Sequence, residues 1–205
     1  MRVLLEADGL LAVDKPSGLL SVPGRGPEKA DCVVARLSRA RPWVREVHRL
    51  DQDTSGVLLL ATDADTHRAM AAAFAERRVD KAYEARIAGE PADTAGEVDL
   101  PLAADWPNRQ RQKVDHATGR PARTRWRLLA VEAGSSRVAL EPVTGRSHQL
   151  RVHMAATGHP ILGDPFYAPA DIVAAAPRLC LHATHLSFVH PFTGQRVDLE
   201  APVPF

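Results

Sequence analysis

A histidine, an arginine and an aspartate lie close together in the string VHRLDQDTSGVLLLA, residues 47–61. The charged cluster at 48–51 leads through a polar turn ending at Gly56 into the apolar run 57–61, which predicts a buried strand. Polar groups that lose hydration need compensating partners, so this position at the mouth of a core strand indicates chemistry. An ionised Asp51 could act as a nucleophile or a base at a sugar carbon.

A second polar cluster, residues 144–153, offers a partner for that carboxylate. The pattern predicts a turn leading into a helix, and a helix that includes Ser147 would place His148 and Arg151 on one face. A carboxylate at the end of a core strand stays ionised when a guanidinium pairs with it. We therefore predict that Arg151 pairs with Asp51.

Two other uses of these residues are possible. Asp53 could form a carboxylate dyad with Asp51, as in glycosidases, although aspartate is common in turns simply for its backbone hydrogen bonds. A metal site could be built from histidines, but His148 and His153 are five residues apart and project away from each other on a helix. We predict no metal site. The histidines considered for one are His148, His153 and His159, with His182 and His185.

The positive charge is mostly arginine, which supplies 22 of the 26 basic residues although the net charge is only +1. A GC-rich genome also favours arginine over lysine, so the distribution matters more than the ratio. Segment 105–127 concentrates basic residues beside Trp106 and Trp126, which is typical of a nucleic-acid footprint and also compatible with a solvated surface. Its basic residues are Arg109, Arg111, Lys113, Arg120, Arg123, Arg125 and Arg127.

Length and composition narrow the class of protein. The chain has 205 residues and 45% hydrophobic content, which suits one packed domain. No apolar run reaches the roughly 20 residues of a membrane span, and the N-terminus lacks a signal-peptide pattern. Cys32 and Cys180 have no zinc-finger spacing or disulfide framework. We expect a cytoplasmic protein with no membrane contact.

Strand patterns outnumber helix patterns, and several neighbouring strands are joined by hairpin-length turns. This predicts an α+β fold, with a mainly antiparallel mixed β-sheet and flanking helices, in a single domain over residues 1–205. Predicted strands cover 3–5, 10–13, 46–50, 57–61, 81–88, 123–130, 137–141, 179–189 and 196–199. Predicted helices cover 30–40, the stretch from an Asp63 or Asp65 cap to about 78, and the end of 144–157.

The string HRLDQDTSG resembles the signature of the RluA-type pseudouridine synthases, in which HRLD is followed by two free positions and TSG. Further blocks resemble the family in its usual order over nearly the whole chain. They are DKPSGLLSVPGR, DKAYEARI, LPLAADWPNRQRQKV, GRSHQLRVHMAATGHPILGDPFY and LHATHLSFVHPFTG. By this resemblance we expect no S4-like RNA-binding module, which many relatives carry before the catalytic blocks.

The resemblance implies an isomerase that converts uridine in RNA to pseudouridine without a cofactor or a metal. By resemblance Asp51 is the catalytic carboxylate, Arg151 the arginine that pairs with it, and Tyr83 the aromatic residue that stacks on the flipped uracil. Arg49 matches the residue that enters the RNA stack. The RNA-binding residues implied are His48, Arg49, Thr54, Arg109, Arg111, Lys113, Arg146 and His148.

This short chain contains the strings SVPGR and DWPNR. In both respects it resembles family members that modify both 23S ribosomal RNA and transfer RNA. We therefore expect stem-loops of both RNAs as partners, including the anticodon stem-loop, and a monomeric enzyme. Two other classes stay open on the residues alone. An N-glycoside hydrolase would use the same carboxylate and release free uracil, and an RNA-binding assembly factor would bind RNA without turnover.

Overall fold

The chain folds into two compact units, each with its own apolar core. The computed structural model describes residues 1–108 and 110–205. The first unit contains residues 1–81 and 182–204, and the second contains residues 82–181 and 205. Within the described ranges, no helix is both long enough and apolar enough to cross a membrane.

The first unit is built around β4, Ser55–Ala61, whose seven residues are all buried. β1 (Arg2–Ala7) and β2 (Leu10–Lys15) form a hairpin, and β2 pairs with β4 in antiparallel fashion. β4 takes β3 (Arg45–Glu46) as an antiparallel partner and β11 (Leu181–Val189) as a parallel partner. β12, Arg196–Glu200, completes this group by pairing antiparallel with β11.

Helices cover part of this sheet. α1 spans Val33–Leu37 and α2 spans Ala64–Ala75. The Asp63 side chain caps α2 by accepting from the Thr66 amide at 2.8 Å, as the sequence predicts. Met70 of α2 is completely buried and packs in one apolar cluster with residues of β2 and β4.

Four antiparallel strands form the sheet of the second unit, in the order β5, β10, β9, β6. A separate two-stranded hairpin carries β7 and β8, and helices α3 and α4 follow the last strand of the sheet. The strands are β5 (Val79–Ala88), β6 (Ala95–Asp99), β7 (Leu102–Ala104), β8 (Gln112–Val114), β9 (Arg123–Glu132) and β10 (Ser135–Pro142). The helices are α3 (Gln149–Ala156) and α4 (Ala170–Ala174).

The α+β class with a largely antiparallel sheet is confirmed. Most predicted elements are present with small shifts of their ends. The predicted strand 46–50 is wrong, because only Arg45–Glu46 pairs with β4, and the Leu50 amide donates instead to the Ser21 hydroxyl. The predicted helix 30–40 is shorter, at Val33–Leu37, and β6, β7 and β8 were not predicted.

Gly56 makes the parallel pairing of β4 with β11 possible. It has a φ of +110° and pairs with Ala183. A Cβ at this position would lie 2.2 Å from the Ala183 carbonyl oxygen, which is backbone and cannot turn aside. Glycine is therefore required both by its backbone conformation and by the close approach of the neighbouring strand.

Replacing Gly56 should consequently be costly. We expect Gly56→Ala to lower the free energy of unfolding by about 3 kcal/mol or more, measured by urea denaturation. Gly194→Ala is the matched control, because Gly194 has a φ of +70° but a Cβ there meets nothing within 4 Å. That control should lose only about 1 kcal/mol from backbone strain. Equal losses in the two variants would show that close strand approach at Gly56 is unimportant.

Candidate active site

Asp51 lies in an irregular segment, residues 47–54, between β3 and β4. The Thr54 amide donates to the Asp51 carbonyl at 3.2 Å, so a turn leads directly into the buried start of β4. The residue is half-buried, with Leu50 buried on one side and Gln52 exposed on the other. Its carboxylate is thus set by a short turn on a rigid strand, which suits a group that must be placed accurately.

The backbone around Asp51 is held by Lys15, which is fully buried. The Lys15 Nζ donates to the carbonyl oxygens of Pro16 at 3.0 Å, Leu19 at 2.7 Å and Gln52 at 2.8 Å. A lysine ammonium carries three donors, and three carbonyls accept from it here. Lys15 therefore ties the residue next to Asp51 to the loop that follows β2.

Two serines of the same loop add further bonds. The Ser21 hydroxyl donates to the Leu50 carbonyl at 2.8 Å and accepts from the Leu50 amide at 3.1 Å. The Ser17 hydroxyl donates to the Asp53 carbonyl at 2.7 Å. The main chain is therefore fixed on both sides of Asp51. Lys15, Ser17 and Ser21 were not predicted to have a role, and their only signal in the sequence is the DKPSGLLS block of the family resemblance.

His48 and Arg49 point to different surroundings. The His48 Nε2 accepts a hydrogen bond from the Leu59 amide at 3.0 Å, and its ring stacks on Phe74 at 4.6 Å. Burial of this ring lowers the pKa of His48 to about 3, and the positive charge of Lys81 contributes to that lowering. Arg49 is exposed. RNA contacts by these two side chains, and by the buried Thr54, stay predictions.

In the second unit, Arg151 is buried on α3 and bound to Asp164. The Arg151 Nε donates to Asp164 Oδ2 at 2.8 Å and its Nη2 donates to Oδ1 at 2.7 Å. The two side chains are only 2% and 1% exposed. This bidentate pair fixes the guanidinium plane. Asp164 was not predicted as a partner of Arg151. The predicted pairing of Arg151 with Asp51 stays a prediction.

Two aromatic rings, those of Phe166 and Tyr167, lie against the Arg151 guanidinium. The guanidinium carbon of Arg151 lies 5.1 Å from the centre of the Phe166 ring and 5.2 Å from that of Tyr167. The amides of Phe166 and Tyr167 also donate to Asp164 Oδ1, at 2.9 and 3.2 Å. One short stretch, GDPFY, therefore supplies both the carboxylate and the aromatic surfaces around Arg151.

The turn before α3 differs from the prediction. The helix begins at Gln149, and His148 has a φ of +53°, outside the helical region. The prediction that His148 and Arg151 share a helical face is therefore wrong. The cause is the buried Gln149 side chain, whose Oε1 accepts from the Thr144 hydroxyl at 2.7 Å and from the Arg146 amide at 3.0 Å and so stabilises a turn there.

Tyr83 lies on β5 opposite Leu140 of β10. It is half-buried and packs against the apolar core of the second unit. A strand holds this ring firmly and leaves part of it exposed, which is compatible with stacking. Stacking on a uracil stays a prediction.

The basic segment is divided among several elements. Arg111 and Lys113 are exposed on the β7–β8 hairpin, and Lys113 lies 3.6 Å from Asp115. Arg123 and Arg125 of β9 are paired with Glu97 of β6, at 3.7 and 3.2 Å. Two further predicted RNA-binding residues remain. The Arg146 Nε donates to the Pro121 carbonyl at 3.1 Å, and Arg109 lies outside the described residues.

The histidines considered for a metal site bond to protein groups. Their partners are Tyr167 for His148, Thr124 and Leu100 for His153, Ala88 for His159, Ser55 and Ala201 for His182, and Asp198 for His185. In the part of the chain that the structure describes, no three His, Cys, Asp or Glu side chains form a group that could hold a metal ion.

Comparison with known proteins identifies the family of the chain. Residues 9–156 match the family model described as RNA pseudouridylate synthase. The chain is 50% identical over 204 residues to the dual-specificity RNA pseudouridine synthase RluA of Escherichia coli K12, covering 99% of this chain and 93% of that protein. It is 48% identical to the RluA of Yersinia pestis, covering the whole of both chains.

Solved structures show the same fold. Human RNA pseudouridylate synthase domain containing 1 has a TM-score of 0.81 and 28% identity, covering 99% of this chain and 83% of that one. Human RNA pseudouridylate synthase domain containing 4 has a TM-score of 0.80 and 26% identity, covering 98% and 88%.

The lowered pKa of His48 predicts a pH dependence of stability. In the unfolded chain this ring takes up a proton near pH 6.5, whereas in the folded chain it stays neutral down to about pH 3. The unfolded state then binds more protons in that window, so the free energy of unfolding should fall as the pH drops from 6.5 towards 3. Urea denaturation at several pH values should show a smaller fall for His48→Gln, because glutamine can still accept from the Leu59 amide without titrating. A His48 ring that titrates near 6.5 in an NMR titration would contradict this.

Proposed function

The chain belongs to the family of RNA pseudouridylate synthases, isomerases that reattach uracil to its ribose, and on that premise we propose that it modifies uridines in hairpin loops of 23S ribosomal RNA and transfer RNA. The observation that carries this substrate proposal is the 50% identity over 99% of the chain to a relative named as a dual-specificity RNA pseudouridine synthase. We propose that it acts as a monomer in the cytoplasm, where both classes of RNA are found.

The reaction needs little from outside the protein. The N1–C1′ bond of uridine breaks, the base turns, and a C5–C1′ bond forms; C5 loses a proton and N1 ends with one. No electrons are gained or lost, so no redox cofactor or activated donor is required. What the protein must supply is access to C1′, a group that acts at the ribose, and a surface that holds the detached base.

We propose that Asp51 is the group that acts at the ribose, as nucleophile or as base. The support is its position: the carbonyls of Leu50, Gln52 and Asp53 are all held by the loop after β2. A carboxylate on such a fixed main chain loses little mobility when RNA binds, which favours reaction at one atom.

The remaining roles follow from side-chain type and exposure. Arg49 is exposed beside Asp51 and is proposed to enter the RNA stack when the target nucleotide flips out. Tyr83 is proposed to stack on the detached uracil. Arg151, whose guanidinium plane is fixed by Asp164, is proposed as the arginine that pairs with the Asp51 carboxylate.

Replacing the carboxylate tests the proposed chemistry. We expect Asp51→Asn to lower turnover at least about a thousandfold, measured as tritium release from C5-labelled uridine in RNA, with RNA affinity and melting temperature nearly unchanged. Asp53→Asn is the matched control, since it alters a carboxyl in the same turn and keeps the backbone bond to Ser17; it should stay close to wild type. An active Asp51→Asn variant would contradict the role of Asp51, and release of free uracil by the wild type would indicate hydrolysis instead.

Substrate size tests the proposed targets. Base flipping costs least in loops, where pairing is already broken, so short synthetic hairpins should be adequate substrates. We expect an anticodon stem-loop and a 23S hairpin of similar loop sequence to be modified about as well as the full-length RNAs. Failure of both hairpins, with modification of intact ribosomal precursors, would show that a larger assembly is needed.

A further inference from the structure

Two neighbouring residues, Phe166 and Tyr167, contact both the buried Arg151 and the β7–β8 hairpin. This hairpin carries the exposed Arg111 and Lys113 and is called the basic hairpin below. Their rings lie over the Arg151 guanidinium, at 5.1 and 5.2 Å. The Arg111 guanidinium, on the hairpin, lies 5.8 Å from the centre of the Phe166 ring. The Tyr167 hydroxyl oxygen accepts a hydrogen bond from the backbone N–H of Gln112 at 2.8 Å.

The hairpin has reason to depend on such contacts. β7 and β8 form a two-stranded sheet with three residues in each strand, and a two-stranded hairpin by itself is marginal in water. Leu102 and Val114 pack with Val152 of α3, which anchors the base of the hairpin. The Gln112 amide, nearer the tip, is held by the Tyr167 hydroxyl.

The same hydroxyl also reaches the turn before α3. The Tyr167 Oη lies 2.6 Å from His148 Nδ1, and the His148 ring stacks on Phe166 at 5.8 Å. One oxygen atom therefore joins the basic hairpin to the segment that precedes Arg151. Its position is fixed in turn, because the Tyr167 amide donates to Asp164.

We propose that Tyr167 is a positioning residue that sets the basic hairpin, with Arg111 and Lys113, in place for RNA binding while its ring packs on Arg151. This rests on the proposed function, since it assigns the hairpin a part in RNA binding. Two parts of one side chain have different contacts: the hydroxyl joins the hairpin to the turn before α3, and the ring packs on Arg151. Loss of the hydroxyl alone should therefore weaken RNA binding and spare the chemical step.

Tyr167→Phe makes that separation, because it removes the oxygen and keeps the ring. We expect the RNA dissociation constant at low salt to rise roughly fivefold, the factor of one ordinary hydrogen bond. The slope of log Kd against log salt should fall by about one to two as Arg111 and Lys113 lose their fixed positions. The single-turnover rate at saturating enzyme should stay within about twofold of wild type, since the ring remains on Arg151. Gln112→Ala is the matched control for the bond to the hairpin, because it removes the side chain and keeps the backbone N–H that donates to Tyr167.

Hydrogen exchange of the RNA-free protein gives a readout that does not depend on the function. The Gln112 amide should be protected in the wild type and in Gln112→Ala, and should exchange at least about fivefold faster in Tyr167→Phe. Equal exchange in wild type and Tyr167→Phe would overturn the proposal, as would a lower single-turnover rate with unchanged affinity, which would mean that Tyr167 acts through Arg151. A wild type that neither binds nor modifies RNA would overturn the proposed function, whereas the exchange result would still decide the link between Tyr167 and the hairpin.

Discussion

Burial of the Lys15 ammonium is the constraint on which the first unit depends. A buried charge is costly unless polar partners surround it, and the carbonyls of Pro16, Leu19 and Gln52 meet that need. The same bonds leave the main chain around Asp51 little freedom. Residues 47–54 can therefore depart from strand geometry after Glu46 and still hold the Asp51 carboxylate in a defined place. The same three hydrogen bonds therefore stabilise the buried ammonium and restrain the main chain beside Asp51.

In the second unit a buried guanidinium, that of Arg151, is likewise stabilised by polar partners. Arg151 is buried because Asp164 accepts from two of its nitrogens and two rings cover its faces. A planar cation fits this setting better than lysine would, since its donors and its faces are used at once. The sequence of residues 164–167 is constrained as a result. Asp164, Phe166 and Tyr167 each contact Arg151, and each makes a further bond or contact elsewhere.

The sequence predicted what depends on periodicity and missed what depends on single hydrogen bonds. The buried run of β4 and the capped helix α2 were recognised because apolar spacing and Asp63 are local signals. Lys15, Ser21 and Asp164 could not be assigned, since each has a partner that lies 13 to 37 residues away and leaves no local pattern. These partners are Gln52, Leu50 and Arg151. The β7–β8 hairpin was missed because its strands, Leu102–Ala104 and Gln112–Val114, are only three residues long and too short to show an alternating pattern.

The pairing of Gly56 with Ala183 has a consequence for synthesis on the ribosome. The first unit is interrupted: residues 82–181 are made before the strand that completes it. At about 5–20 residues per second, that delay lasts roughly 5–20 s. During this time one edge of β4, at Ser55 and Gly56, lacks its partner strand, and such an edge can pair with other chains. A nascent chain released before residue 183 would thus lack the strand that pairs with Ser55 and Gly56 at the start of β4, and its sheet would be incomplete.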